Sequence, residues 1–314
     1  LIGAYPSREY CVQYDESPLH FLSRLMQDEG IWYFFKQTTN GCSIVLADHN
    51  AAFSPEGPQE PLVYQGRQTE AFSENAILSL KQMSQMVTQA WAVSDYNMLT
   101  PTTNLAAESK GQSGLGRWFE YPAPGATPTM TASSAQRLAN ASQIAASTTC
   151  FETIRCELTA GNPVEVTEHP SSLINTSYVV QSITHTLQDE TYWNECRAFR
   201  QSLPFRPRRS LKKPRISGSH SAVVVGPSDE KIWVDELGRV RVRFFWDQHS
   251  PNDSTSSCWI RVSQSWAGSS WGSVFLPRVG HEVLVSYIDG DPDRPVVTGS
   301  VYHAEEKLPV DLPT

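Results

Sequence analysis

Apolar and polar positions alternate with a period of two along the C-terminal part of this chain. From Gly238 onward, Val240, Val242, Phe244 and Trp246 fall on one face, while Arg239, Arg241 and Arg243 fall on the other. Successive side chains of a strand point to opposite faces, so this pattern predicts a half-buried strand. Further short runs at Trp259–Val262, Val283–Ile288 and Val296–Val301 are separated by turn residues. Together they predict one small all-β module between Lys231 and His303. Asp289-Gly290-Asp291-Pro292-Asp293 has the composition of the turn between its last two strands.

The N-terminal part mixes periods. Residues 1–35 read as strand, helix, strand. Ser17 suits an N-cap and Pro18 the first helical position. Leu19, Leu22, Leu25 and Met26 then recur at helical spacing, Gly30 marks the C-terminal stop, and Ile31–Phe35 is an aromatic-rich strand. Residues 42–47 read as a short strand and 48–61 as a turn-rich connection. Residues 76–95 read as β structure. Residues 97–130 read as a surface excursion with an ordered piece near Trp118–Tyr121. Residues 133–147 predict a second helix capped by Ser134. Strands return between Phe151 and Phe199, the strongest at Tyr178–Ile183. Residues 203–215 carry Arg206, Arg208, Arg209, Lys212, Lys213 and Arg215 with three prolines and no acid, the composition of a linker.

Length and charge narrow the functions. The chain has 314 residues, room for two domains with real cores. Its net charge is −8, which argues against a general nucleic-acid binder. Between Ile216 and His303 seven basic residues face ten acidic ones, so the β module lacks the footprint that phosphate contacts need. No apolar run reaches the roughly 18 residues of a membrane-spanning helix, and no signal-peptide pattern is visible. A first residue of Leu1 reads as a chain whose natural start lies upstream. The six cysteines have no CxxC pair and no framework spacing, so they read as ordinary thiols.

Candidate chemistry is thin. The carboxylates of 289–293 do not continue into a calcium loop, since the twelfth position from Asp289 is Ser300. The eight histidines show no HxxxH or HExxH spacing, there is no GxSxG, and Gly111–Gly116 lacks the Lys-Ser/Thr of a P-loop. A glycan hydrolase would need two carboxylates facing a cleft, and no convincing pair is present. A five-stranded Greek-key barrel could instead bind an oligosaccharide or nucleic acid. Trp233, Trp246, Trp259, Trp266 and Trp271 exceed what one small barrel buries, which points to aromatic contact with another subunit or domain. The arginine row reads as a face that meets acidic neighbours in an assembly.

Several separated motifs resemble one family. They are Arg8-Glu9-Tyr10-Cys11-Val12-Gln13-Tyr14, Ser17-Pro18-Leu19-His20-Phe21, Glu29-Gly30-Ile31-Trp32-Tyr33-Phe34, Gly238–Val242 with Phe245-Trp246-Asp247, Trp259–Val262, Pro277–Val283 and Gly290–Pro295. In this order they resemble the VgrG proteins, spike components of the type VI secretion system related to contractile-phage hub and spike proteins. The resemblance implies a mainly β chain with a few helices (α+β), a hub-like β-barrel region followed by an OB-type five-stranded β-barrel. It implies a hub-like region over 1–203, a linker over 204–215, an OB barrel over 216–303 and, at 304–314, the lead-in to a β-helical needle. It further implies a homotrimer on an Hcp-type tube hexamer, assembled in the bacterial cytoplasm and then secreted. Such a trimer carries effectors or a sharpening tip protein and touches a target membrane transiently. Expected subunit contacts are Trp266, Trp271, Arg241 and Tyr302. No catalytic, cofactor or metal residue and no nucleic-acid partner is expected.

Overall fold

The computed structural model describes residues 1–38, 41–53, 60–66, 73–251 and 253–312. Ser17 and Gly30 delimit the first helix, α1 (Pro18–Glu29). The Ser17 hydroxyl accepts the His20 N–H at 3.2 Å, satisfying one orphan donor of the first turn. Gly30 adopts φ 72°, and the Ile31 N–H reaches back to the Met26 carbonyl at 2.8 Å, a left-handed cap. No strand precedes α1 among the described residues, contrary to the strand expected there.

The chain forms two compact units, one of Leu1–Tyr5 with Leu22–Leu211, the other of Pro6–Phe21 with Lys212–Thr314. The first unit contains β1 (Trp32–Thr38), β2 (Gly41–Ala47), β3 (Leu62–Tyr64), β4 (Ala76–Ser84), β5 (Thr88–Val93), β6 (Ala107–Lys110) and β7 (Leu115–Glu120). After α2 (Pro128–Ala146) come β8 (Ser147–Thr153), β9 (Pro163–Thr167), β10 (Ser177–Gln188) and β11 (Thr191–Arg200). Six of these strands close a barrel in the order β10-β11-β8-β4-β3-β9. Leu62, Ile77, Phe151, Val166 and Tyr178 fill it, each nearly without exposure. The hairpin β1–β2 turns Trp32 and Phe34 onto Phe53 and Phe199, a second core. The sheet β6-β5-β7 carries α2, whose Ala135 and Leu138 pack on Val93.

Three expectations need correction in this unit. The single β run expected at 76–95 is two strands: β4 pairs with β8 as far as Ser84, with the Gln85 N–H still on the Ala146 carbonyl at 3.1 Å, and β5 takes other partners, β6 and β7. The excursion at 97–130 holds two strands and the start of α2. That helix begins at Pro128 with Thr127 as its cap, the Thr127 hydroxyl accepting the Met130 N–H at 3.4 Å, while Ser134 lies buried within it. Of the connection expected at 48–61, residues 54–59 lie outside the described residues.

The basic strip is anchored rather than loose. Phe205 packs edge-on against Trp32 at 5.0 Å and stacks on Phe199 at 4.8 Å, and its N–H donates to Asn50 Oδ1 at 2.8 Å. Arg209 pairs with Glu120 and, at 3.8 Å, with Asp28. In the second unit Lys213 bridges Asp291 and Asp293 at 2.5 and 2.6 Å. The strip's cations at 209 and 213 are therefore neutralised by the chain itself, whereas Arg208, Lys212 and Arg215 are exposed.

The second unit is built on β12 (His220–Val225), β13 (Arg241–Phe244) and β14 (Arg261–Val262), a short hairpin of β15 (Ala267–Gly268) and β16 (Trp271–Gly272), then β17 (Glu282–Tyr287) and β18 (Pro295–Ser300). Five strands form a sheet in the order β13-β12-β17-β18-β14. Its two edges meet where Val240 and Ile260 exchange N–H to carbonyl bonds of 2.9 and 2.7 Å, so the sheet closes on itself. Val240, Val242 and Phe244 are buried with Ala222, Val224, Ile260, Val283, Val285 and Val297, as the period of two predicts. Gly290 stands in the turn between β17 and β18 at φ 71°, and the Asp293 carboxylate accepts the Val12 N–H at 2.7 Å. Residues 6–21 run over this barrel as a strap. Of residues 304–314, the last two lie outside the described residues, and 304–312 form no strand.

The arginine row also departs from expectation. Arg239 is 8% exposed and bonds Asp235 of its own chain at 2.6 Å. Arg241 lies over the Trp259 ring at 4.7 Å and donates to the Ser254 carbonyl. These two are engaged inside the unit, by a carboxylate four residues away and by an indole face.

Candidate interaction surface

The β15–β16 hairpin presents the most concentrated exposed aromatic feature of the barrel unit. Its strands pair Ala267 with Gly272 and Gly268 with Trp271 across a two-residue turn, where Ser270 takes φ 63°. The ladder is prolonged at its base. The Ser273 N–H donates to the Trp266 carbonyl at 2.9 Å, and Gln264 brackets Phe275 by accepting its N–H at 2.9 Å and donating to its carbonyl at 3.2 Å. Trp266 and Trp271 meet edge to face, with centroids 5.1 Å apart.

Two glycines make that pairing possible. A Cβ on Gly268 would lie 2.3 Å from the Trp271 ring. Gly272 takes φ 138°, and a Cβ there would lie 2.5 Å from the Trp266 carbonyl oxygen. The indoles are thus held in one arrangement, yet Trp266 is 66% and Trp271 56% exposed. Val274 and Phe275 extend the apolar surface at 72% and 71%. A fixed aromatic pair beside further apolar side chains has the properties of a binding hot spot, because little side-chain entropy remains to be lost on contact.

The expected contact residues therefore separate. Trp266 and Trp271 come together on the arm. Tyr302 is exposed just after β18, and Arg241 is held on Trp259. Among the described residues no ring contact joins Tyr302 or Arg241 to the tryptophan pair. Of the other barrel tryptophans, Trp233 and Trp259 tilt against each other at 5.9 Å and Trp246 stacks on Phe244 at 5.0 Å, all half-buried.

Two further apolar surfaces escaped the sequence reading, both in the first unit. On the outer face of β1–β2, Tyr33 pairs with Leu46 and Phe35 with Ile44, all four exposed. The signal was present: Trp32–Phe35 is apolar at every position, which buries one face and leaves the other uncovered. On β7, at the edge of its sheet, Leu115, Trp118 and Phe119 are exposed on both faces. An apolar edge strand of this kind offers unpaired backbone groups to a neighbour.

Among the described residues no group of three or more His, Cys, Asp or Glu could hold a metal ion, and the six cysteines are free thiols. Burial pushes the Cys196 and Cys258 thiols up to about 12, so neither is a thiolate at neutral pH. No helix among the described residues is long and apolar enough to cross a membrane.

Comparison with known proteins places this geometry. The family model of the phage tail baseplate hub (GPD) matches residues 1–191. That of the type VI secretion system/phage-baseplate injector OB domain matches residues 222–302. Two type VI secretion system spike proteins of Pseudomonas aeruginosa, VgrG1c and VgrG1a, are each 34% identical over 100% of the chain. The matches cover 45% and 51% of those proteins, so the chain spans about half their length. The actin cross-linking toxin VgrG1 of Vibrio cholerae is 33% identical over 98% of the chain, which covers 29% of that protein. Among solved structures, the E. coli c3393 protein, a type VI secretion component described as similar to the T4 tail proteins gp27 and gp5, superposes with TM-score 0.60 at 19% identity. That superposition covers 95% of this chain and 64% of the other. At this identity the likeness speaks for the fold.

Proposed function

Since the chain belongs to the VgrG family of type VI secretion spike proteins, we propose that it forms the base of a homotrimeric spike capping an Hcp-type tube. In this reading, 1–203 is the hub-like region, 204–215 the linker, 216–303 the OB barrel and 304–314 the lead-in to a needle. The assembly forms in the bacterial cytoplasm and is driven outward through a target membrane, carrying effectors or a tip protein. The chain's own role is mechanical and not enzymatic: closed barrels transmit an axial load without relying on a flexible edge.

The observation that carries the proposal is the preorganised, exposed Trp266–Trp271 pair, with Val274 and Phe275 beside it. Apolar area on this scale is costly to leave in water and is covered when copies associate. Tyr302 belongs to the same proposed contact, and Arg241 supports it from inside by fixing Trp259. Light scattering coupled to size exclusion tests the reading. A mass three times that of one chain is expected, and a monomer at every concentration up to the solubility limit would refute it.

A further inference from the structure

The strap of residues 6–21 is fastened to the barrel around one imidazole. The Val12 N–H donates to Asp293 Oδ1 at 2.7 Å. Tyr14 lies 5.7 Å from the His220 ring and 5.8 Å, edge-on, from Trp246. His220 opens β12, and its Nδ1 accepts the Trp246 indole N–H at 3.0 Å, with the Tyr287 hydroxyl at 3.1 Å. An Nδ1 that accepts is unprotonated, so the ring is the neutral tautomer with its proton on Nε2.

We propose that this cluster is a proton-operated clasp: protonation of His220 at Nδ1 removes the acceptor for Trp246, sets two N–H donors against each other, and frees the strap from the barrel. The groups facing His220 are Tyr14 from the strap, Tyr287 from β17 and Trp246 beyond β13, none of them a carboxylate. Tyr287 is kept protonated chiefly by burial, which raises its pKa. The nearby carboxylates Asp247 and Asp293 act on Tyr10, whose pKa is raised mainly by burial. The strap's own imidazole, His20, binds Glu16 at 2.6 Å. Burial holds the His220 pKa below its ordinary value, so the clasp is closed above about pH 6.5 and opens as pH falls through the lowered value.

Hydrogen exchange of the whole chain, read as protection factors of the peptide spanning 6–21, tests the clasp. Between about pH 7.5 and about pH 5 this peptide is expected to lose protection at least about fivefold, with β13 unchanged. The change should vanish in His220→Gln, or in His220→Asn if the first variant fails to fold, and should persist in His20→Gln. Full protection of the wild-type strap throughout this range overturns the proposal. So does a loss that survives replacement of His220, which would assign the titration to a carboxylate such as Asp293.

Discussion

Gly272 and Asp235 each hold a neighbour in a state that other residues would not maintain. At Gly272 the backbone is in a region that L side chains rarely enter, and the obstruction is a carbonyl oxygen that cannot swing away. Gly272→Ala is expected to strain the arm by about 1–3 kcal/mol. Hydrogen exchange should show faster exchange over 264–275 while the barrel stays protected, together with loss of the near-ultraviolet dichroism of the tryptophan pair. At Asp235, burial raises the carboxyl pKa, but the hydrogen bonds from the Arg239 N–H and guanidinium, joined by the Leu237 N–H, outweigh it and hold the net value below the usual carboxylate range. A depressed carboxylate adds stability that is full above its unfolded pKa of about 3.9 and is lost as pH falls through the folded value. Asp235→Ala leaves Arg239 buried beside Val240 without its partner and is expected to cost about 3 kcal/mol in urea unfolding at neutral pH. Urea titrations of wild type and variant should converge as the pH is lowered below the carboxylate range.

Elements whose ends are fixed by their own neighbours were legible in the sequence, and those fixed by distant partners were not. The α1 limits follow from Ser17, Pro18 and Gly30, all local signals. The α2 start is not read from Ser134, because Thr127-Pro128 supplies the cap and first helical position seven residues earlier. The break after Gln85 is a change of partners, from β8 for β4 to β6 and β7 for β5, which no local signal declares. The strap is the extreme case: Tyr10 and Tyr14 resemble strand residues, but their partners Trp246, Tyr287 and His220 lie more than two hundred positions along. The Val240–Trp246 face was readable because alternation declares it, whereas its closure was not, since it consists of one backbone pair to Ile260. That pair supplies an elemental test. Val240→Pro removes the N–H that bonds Ile260 while adding no charge, and it is expected to destabilise the barrel by about 3 kcal/mol. Denaturant unfolding should show a lower midpoint, and an unchanged one would mean that the barrel holds together without this seam.

At the scale of the molecule, the distribution of apolar surface separates self-support from assembly. Both barrels have filled interiors, so the exposed aromatics of β1–β2, β7 and the Trp266–Trp271 arm are not failures of packing. They are apolar surfaces left uncovered among the described residues. The arm can be disabled without touching either core, because Trp266 and Trp271 are absent from the buried clusters. Trp266→Ser with Trp271→Ser is therefore expected to leave the unfolding midpoint within about 0.5 kcal/mol of wild type, as for surface changes generally. If the arm anchors a trimer, losing two indoles at its centre weakens association by about 2–4 kcal/mol, a shift of roughly thirtyfold or more in the concentration at which the oligomer dissociates. Sedimentation velocity across a dilution series measures this directly. A double variant that associates as tightly as wild type would move the contact away from the arm and onto another uncovered surface, such as the outer face of β1–β2 or the edge of β7.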